Sequence, residues 1–222
     1  MPFFECELGL VYFCHVPKSA GTTIEHALLD NGFELSFIDN DFWTDFDKVW
    51  YKTSPQHITA NDFNKLFKND IFTYKFAIVR NPISRFLSAF NHQRSRIGIF
   101  YSLETFLDRL EKNVSTKDNY FGASYDNHFV PANRFILEGS QVFHLECGLT
   151  RIEDKLSELT KKEIKLGHIN AGSYNTDNTP GFRGMIKKVI MSPSPKMENL
   201  SNDVLERIKL LYKEDYDRFD FD

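Results

Sequence analysis

The sequence is short of the features that mark secreted, membrane-spanning or nucleic-acid-coating proteins. Its three cysteines, Cys6, Cys14 and Cys147, form an odd set with no metal-ligand spacing. That argues against a disulfide framework and fits a reducing compartment. No apolar run approaches the ~18 residues of a membrane helix. Residues 1–10 carry Glu5 and Glu7 and no basic start, so no secretory leader is expected and a cytoplasmic location follows. Positive charge is not in excess. The formal net charge is −4, which speaks against nucleic acid as a partner. There is no internal repeat and no low-complexity linker, so the 222 residues are read as one domain spanning 1–222.

Apolar residues, at 41%, are ample for a core and too many for a disordered chain. Phenylalanine occurs 22 times, and core packing is its expected use. Acidic residues are missing from one stretch. Between Ile71 and Leu103 there is no Asp or Glu, yet Lys75, Arg80, Arg85, Arg94 and Arg96 all fall there. Alone, such a run reads as a solvated face; an anionic ligand needs local charge of this kind.

Gly9–Val16 is a short apolar run of strand formers. The small polar loop Pro17–Thr23 follows, then helical spacing through Ile24, Ala27 and Leu28, with Gly32 as the stop. Residues 33–60, with Trp43 and Trp50, suggest no firm element. Asn61–Lys68 reads as a short helix capped by Asn61. Phe72–Arg80 ends in a continuous apolar run, as a strand buried on both faces would. Asn81-Pro82 then caps a helix carrying Ile83, Phe86, Leu87 and Phe90. Ser102 starts a helix through Leu110, residues 113–134 read as a long functional loop, and Val142–Glu146 as a strand. Thr150 and Glu153 have capping-box spacing for the next helix. Ser201 opens a last helix with the stripe Val204, Leu205, Ile208, Leu211, Tyr212 and Tyr216. Strands alternating with helices imply an α/β fold, a parallel sheet with helices on both faces. Ligands of such sheets bind at the carboxyl ends of the strands.

Both motifs of interest sit at such ends. In His15–Thr23, Gly21 permits close backbone approach. The helix start aims its N–H groups at the loop, Lys18 adds charge, and Ser19, Thr22 and Thr23 add hydroxyls. In Arg80–Phe90, Arg85 and Ser88 are three apart and share a helix face, and an arginine with a hydroxyl in one cleft suits a phosphate monoester. Nucleotide kinases and NTPases need Gly-x-x-x-x-Gly-Lys before Ser or Thr. Here the lysine precedes the glycine, and no clear carboxylate pair follows a strand to hold magnesium.

The run His-Val-Pro-Lys-Ser-Ala-Gly-Thr-Thr over His15–Thr23 resembles the 5′-phosphosulfate loop of sulfotransferases, especially the carbohydrate sulfotransferases and their bacterial relatives. Ser19 stands where threonine is frequent. Arg80-x-Pro-x-x-Arg-x-x-Ser-x-Phe90 resembles the family's 3′-phosphate motif, and Leu211–Phe219 its terminal helix. The resemblance implies a three-layer α/β/α, P-loop NTPase-like fold with a central parallel sheet. It implies 3′-phosphoadenosine-5′-phosphosulfate (PAPS) as donor cosubstrate, with no metal required. Lys18, Ser19, Ala20, Gly21, Thr22 and Thr23 would bind the phosphosulfate, and Arg80 and Ser88 the 3′-phosphate. Lys18 would also act in catalysis, and Arg85 would support packing or pair with a carboxylate. The acceptor would be a hydroxyl or amine, on a glycan or a small hydroxylated metabolite.

In-line attack needs a base, and histidine suits neutral pH. His57 is the expected base. His128, in a segment similar to a histidine-aromatic-x-Pro stretch of chondroitin-type enzymes, either touches the acceptor or braces its loop. His15 is expected to be structural, His168 to shape the nucleotide side, and the loop Asn170–Gly184 to contact adenine. The alternatives are a catalytically silent nucleotide-binding protein on the same scaffold and, after it, a P-loop kinase.

Overall fold

The computed structural model describes residues 2–42, 52–98, 101–167 and 195–221. Trp43, Trp50, His168 and the expected adenine loop Asn170–Gly184 lie outside the described residues.

Four strands form one sheet in the order β1-β2-β3-β4: β1 Phe3–Cys6, β2 Gly9–Cys14, β3 Tyr74–Val79 and β4 Gln141–His144. β2, β3 and β4 are parallel. β1 was not expected from the sequence and makes the sheet mixed, pairing antiparallel with β2 through Phe3–Tyr12 and Cys6–Gly9. Gly9 closes this hairpin at φ 108°, and a Cβ there would come within 2.8 Å of the Thr73 side chain. Only glycine holds that position without strain.

The strands alternate strictly. Val11, Phe13, Phe76, Ile78 and Phe143 pack on one face with α1 (Gly21–Asp30) and α6 (Thr150–Thr160). Tyr12, Cys14, Ala77 and Val79 face the other way. There they meet α2 (Ala60–Leu66), α3 (Pro82–His92) and α5 (Leu103–Lys117). The same face holds α7 (Asn202–Leu211) and α8 (Lys213–Phe219). A short α4, Arg94–Ile97, follows α3. Helices thus cover both faces, which is why β3 reads as a continuous apolar run. Most phenylalanines are in this packing. Among the described residues, no helix is long and apolar enough to cross a membrane.

Several local expectations hold. Asn81 accepts from the N–H groups of Ile83 and Ser84 at 3.1 and 3.2 Å, with Pro82 at the first helical position. Gly32, at φ 80°, ends α1, and the Phe33 N–H returns to the Leu28 carbonyl, the hydrogen bond of a left-handed helix stop. Ser102 and Ser201 cap α5 and α7.

Others are corrected. α2 is capped by Thr59, whose hydroxyl accepts from the Asp62 N–H, not by Asn61, which lies inside the helix. α5 runs on to Lys117, so the irregular segment starts at Asp118 instead of residue 113. The Thr150–Glu153 capping box does not form. Leu149 occupies the cap, and the Glu153 carboxylate accepts from the Leu166 N–H at 2.7 Å. The last helix breaks at Tyr212, and beyond the break Asp215 turns inward to accept the N–H groups of Ala132 and Asn133 at 2.9 and 2.8 Å.

Candidate active site

The loop between β2 and α1 is shaped by two non-glycine residues in left-handed backbone, Lys18 at φ 67° and Ala20 at φ 66°. Such residues cost on the order of 1–3 kcal/mol each and concentrate where geometry serves function. Together they fold the chain around Ser19, whose buried hydroxyl has no partner. No side chain caps the first turn of α1, so its N-terminal dipole faces the loop uncompensated. Thr22 is exposed and Thr23 half-buried.

Gly21 is also required by a neighbour within the loop. Its backbone is ordinary, but a Cβ would lie 2.0 Å from His15 Nε2. The close neighbour is the imidazole. His15 Nδ1 meets the buried Glu25 carboxylate at 2.5 Å, tying the end of β2 to the second turn of α1. His15 is therefore structural, as expected.

Arg80, at the tip of β3, donates from Nη1 to the Lys18 carbonyl at 3.4 Å. The two strand tips thus meet, the Arg80 guanidinium resting on the Lys18 backbone, close enough for its charge to act on the lysine. Burial, and then the charge of Arg80, lowers the Lys18 pKa. Burial also lowers that of Arg80, against the pull of Glu146. Glu146, just beyond β4, accepts the Asn81 N–H at 2.7 Å and so joins the ends of β3 and β4. Ser88 is half-buried on α3, and among the described residues no hydrogen bond links it to Arg80 or Lys18. Arg85 does not share a cleft with Ser88. It is fully buried, donating to the carbonyls of His128 and Val130 at 3.3 and 2.9 Å, with Asp215 at 3.8 Å.

His57 ends a short 3-10 turn, Pro55–His57. Its ring stands edge-on to His15 at 4.8 Å and lies 5.0 Å from His128. His57 Nδ1 meets Asp126 Oδ2 at 2.7 Å. Asp126 is itself fixed: its two oxygens accept from the Ser54 N–H at 2.7 Å and the Ser54 hydroxyl at 2.8 Å. Asn127 donates to the His57 carbonyl at 2.8 Å. Burial opposes the charge of Asp126, yet the facing His57 and the Ser54 N–H hold it well below the usual carboxylate range.

His128 is buried against Gln93, with His92 beyond it at 4.9 Å. The charge of Lys18 bears on both His92 and His128, so loop and histidine cluster adjoin. Ligand atoms of His57, Asp126 and His128 lie within 4.8 Å of one another, a spacing open to a metal ion, although His57 and Asp126 are already joined to each other.

Asp126, Ser54, Glu25 and Glu146 escaped the sequence reading. The segment Asp126-Asn127-His128 offered a faint signal, since Asp and Asn tolerate the left-handed backbone they adopt here, at φ 51° and 58°.

Two buried histidines make stability depend on acid. Burial holds His15 and His128 below their ordinary value. Each stays neutral in the fold while the unfolded chain takes up a proton below about pH 6.5. The stability they contribute is complete above that pH and is lost as pH falls toward the folded values, by up to about 1.4 kcal/mol per unit for each group. Thermal melting between pH 7.5 and 5 is expected to show a steady fall in Tm, and a flat profile would refute the buried-neutral assignment.

No curated protein and no solved structure matches the chain. The model of the sulfotransferase family matches residues 3–222. With nearly the whole length covered, and the Lys18 loop and Arg80 meeting at adjacent strand ends, the chain belongs to the sulfotransferase family.

Proposed function

We propose that residues 1–222 form a single PAPS-dependent sulfotransferase domain of P-loop NTPase-like fold. It transfers a sulfuryl group to an acceptor hydroxyl or amine, with carbohydrate as the acceptor class. The observation that carries this is the meeting of Lys18 and Arg80. Among the described residues no carboxylate pairs with Lys18, and two adjoining, half-buried cations call for an anion between them. The unpartnered Ser19 hydroxyl fits the same ligand, because a buried donor left unsatisfied costs about 1–3 kcal/mol that a phosphate oxygen would recover.

The donor supplies the sulfuryl group and departs as adenosine 3′,5′-bisphosphate. Lys18 and the N–H groups of the loop neutralise charge on the transferring group and the bridging oxygen. Arg80 and Ser88 hold the 3′-phosphate. His57 takes the acceptor proton while the acceptor oxygen bonds to sulfur and the bridging S–O bond breaks, its electron pair leaving on the 5′-phosphate.

The test has two readouts. Adenosine 3′,5′-bisphosphate at about 100 times its Kd, without magnesium, should add about 2.7 kcal/mol to stability, visible as a rise in Tm. ATP with magnesium should do less. Sulfur-labelled PAPS offered with a panel of unsulfated polysaccharides, monosaccharides and phenols should label a saccharide. A larger shift from magnesium ATP, or no labelled product, would overturn the reading.

A further inference from the structure

We propose that Asp126 is a positioning residue that locks His57 in the tautomer with hydrogen on Nδ1, leaving Nε2 as the only nitrogen able to take a proton. The inference rests on the reading of His57 as the base and adds the residue that makes it one.

A neutral imidazole carries one N–H, and its two tautomers lie close in energy in water. A carboxylate only accepts. Asp126 Oδ2, 2.7 Å from His57 Nδ1, therefore requires the hydrogen on that nitrogen. The carboxylate has no freedom to turn away. Ser54 holds both of its oxygens, and Asn127 grips the His57 backbone. The Ser54 hydroxyl also lies 3.2 Å from His57 Nδ1, but it is committed to Asp126 as a donor. So the segment after α5 and the turn before α2 are bolted together at the base.

Other charges surround the pair. His15 faces His57 from the end of β2, backed by Glu25 of α1. His128 faces it from the Asp126 segment, and His92 of α3 lies behind His128. Glu25 and Asp126 are the carboxylates of this group, and only Asp126 touches His57. When His57 accepts the acceptor proton at Nε2, it becomes a cation whose Nδ1–H still points at that carboxylate. The proton then passes to solvent and the starting tautomer returns.

Asp126→Asn keeps the shape but brings an amide N–H₂ toward His57 Nδ1. That nitrogen must then accept, and the hydrogen moves to Nε2, the wrong place for a base. Wild type and variant labelled with nitrogen-15 histidine, with His57 assigned from a His57→Gln sample, should differ in tautomer: Nδ1–H in the wild type, Nε2–H in the variant. This readout needs no acceptor and no activity, so it stands apart from the sulfuryl-transfer reading. With labelled PAPS and the best saccharide of the panel, kcat should fall about 10²- to 10⁴-fold, with the donor KM within about threefold of wild type. A purely structural role would lower Tm and leave the tautomer in place.

A wild-type Nε2–H tautomer would overturn the proposal, as would unchanged kcat in the variant. A third result would do the same: activity and wild-type nitrogen shifts lost on dialysis against a chelator and restored by zinc, which would make His57, Asp126 and His128 ligands of an ion.

Discussion

Lys18→Ala is expected to reduce turnover by about 10²- to 10³-fold, the usual cost of removing one preorganised donor from a developing anion, while Tm changes little. The two halves of this result have separate causes. Lys18 sits in a loop bent by left-handed backbone at φ 67°, and Ala20 at φ 66° shows that alanine tolerates the same bend here. Its pKa is drawn down by burial and by Arg80, so in the empty protein its charge opposes a neighbour and stabilises nothing. Its removal costs the fold little and relieves that repulsion. The charge becomes favourable only when an anion lies between the two cations. The Tm rise caused by adenosine 3′,5′-bisphosphate should therefore shrink in the variant, and labelled-PAPS assays should show the fall mainly in kcat. Wild-type turnover in Lys18→Ala would remove the loop from the chemistry and leave Arg80 without a role beside it.

What could be read from the sequence followed the range of the forces involved. Short-range signals read well. The apolar alternation of β2 and β3, the Asn81-Pro82 cap, and the glycine stop at Gly32 are each decided within a few residues. Errors arose where two local solutions competed. Thr59 and Asn61 can both cap α2, and the position of the first turn favours Thr59. Thr150 and Glu153 have the spacing of a capping box, but Glu153 is drawn to the Leu166 N–H. β1 was missed because its support is remote: Phe3 bridges to Ser36, and its ring packs against Phe67 and Phe72. Most of the loop's residue types were visible in the chain, since Lys18, Ser19, Ala20 and Gly21 follow one another. Asp126 was not, because 69 positions separate it from His57 and no local pattern can encode that meeting.

Arg85 is the strongest case of remote control, and Arg85→Ala should destabilise the fold by about 3–5 kcal/mol, the range for breaking a buried ion pair. For a chain of this size that is a Tm drop on the order of 10 °C. As the family resemblance implied, Arg85 serves packing and faces a carboxylate: it is 0% exposed, its guanidinium 5.2 Å over the Tyr212 ring, reaching the carbonyls of His128 and Val130. Asp215 and Tyr212 complete the clamp, with Asp215 on the N–H groups of Ala132 and Asn133 and the Tyr212 hydroxyl on the Phe129 carbonyl at 2.8 Å. Arg85 thus holds the segment that carries Asp126 and His128 against α3 and the last two helices. Alanine leaves the Asp215 carboxylate buried without its countercharge. Burial already raises the Asp215 pKa, with Arg85 opposing it, so the variant's value should rise further. A carboxyl whose folded pKa exceeds its unfolded value costs stability above that value and ceases to do so as pH falls. The stability gap between wild type and Arg85→Ala should therefore narrow from pH 8 toward pH 5. Taking the difference at each pH cancels the acid sensitivity of the buried histidines common to both proteins. A gap that stays constant with pH, measured by denaturant unfolding, would mean that the loss comes from packing and the two carbonyls alone, and that Asp215 does not depend on Arg85 for its charge.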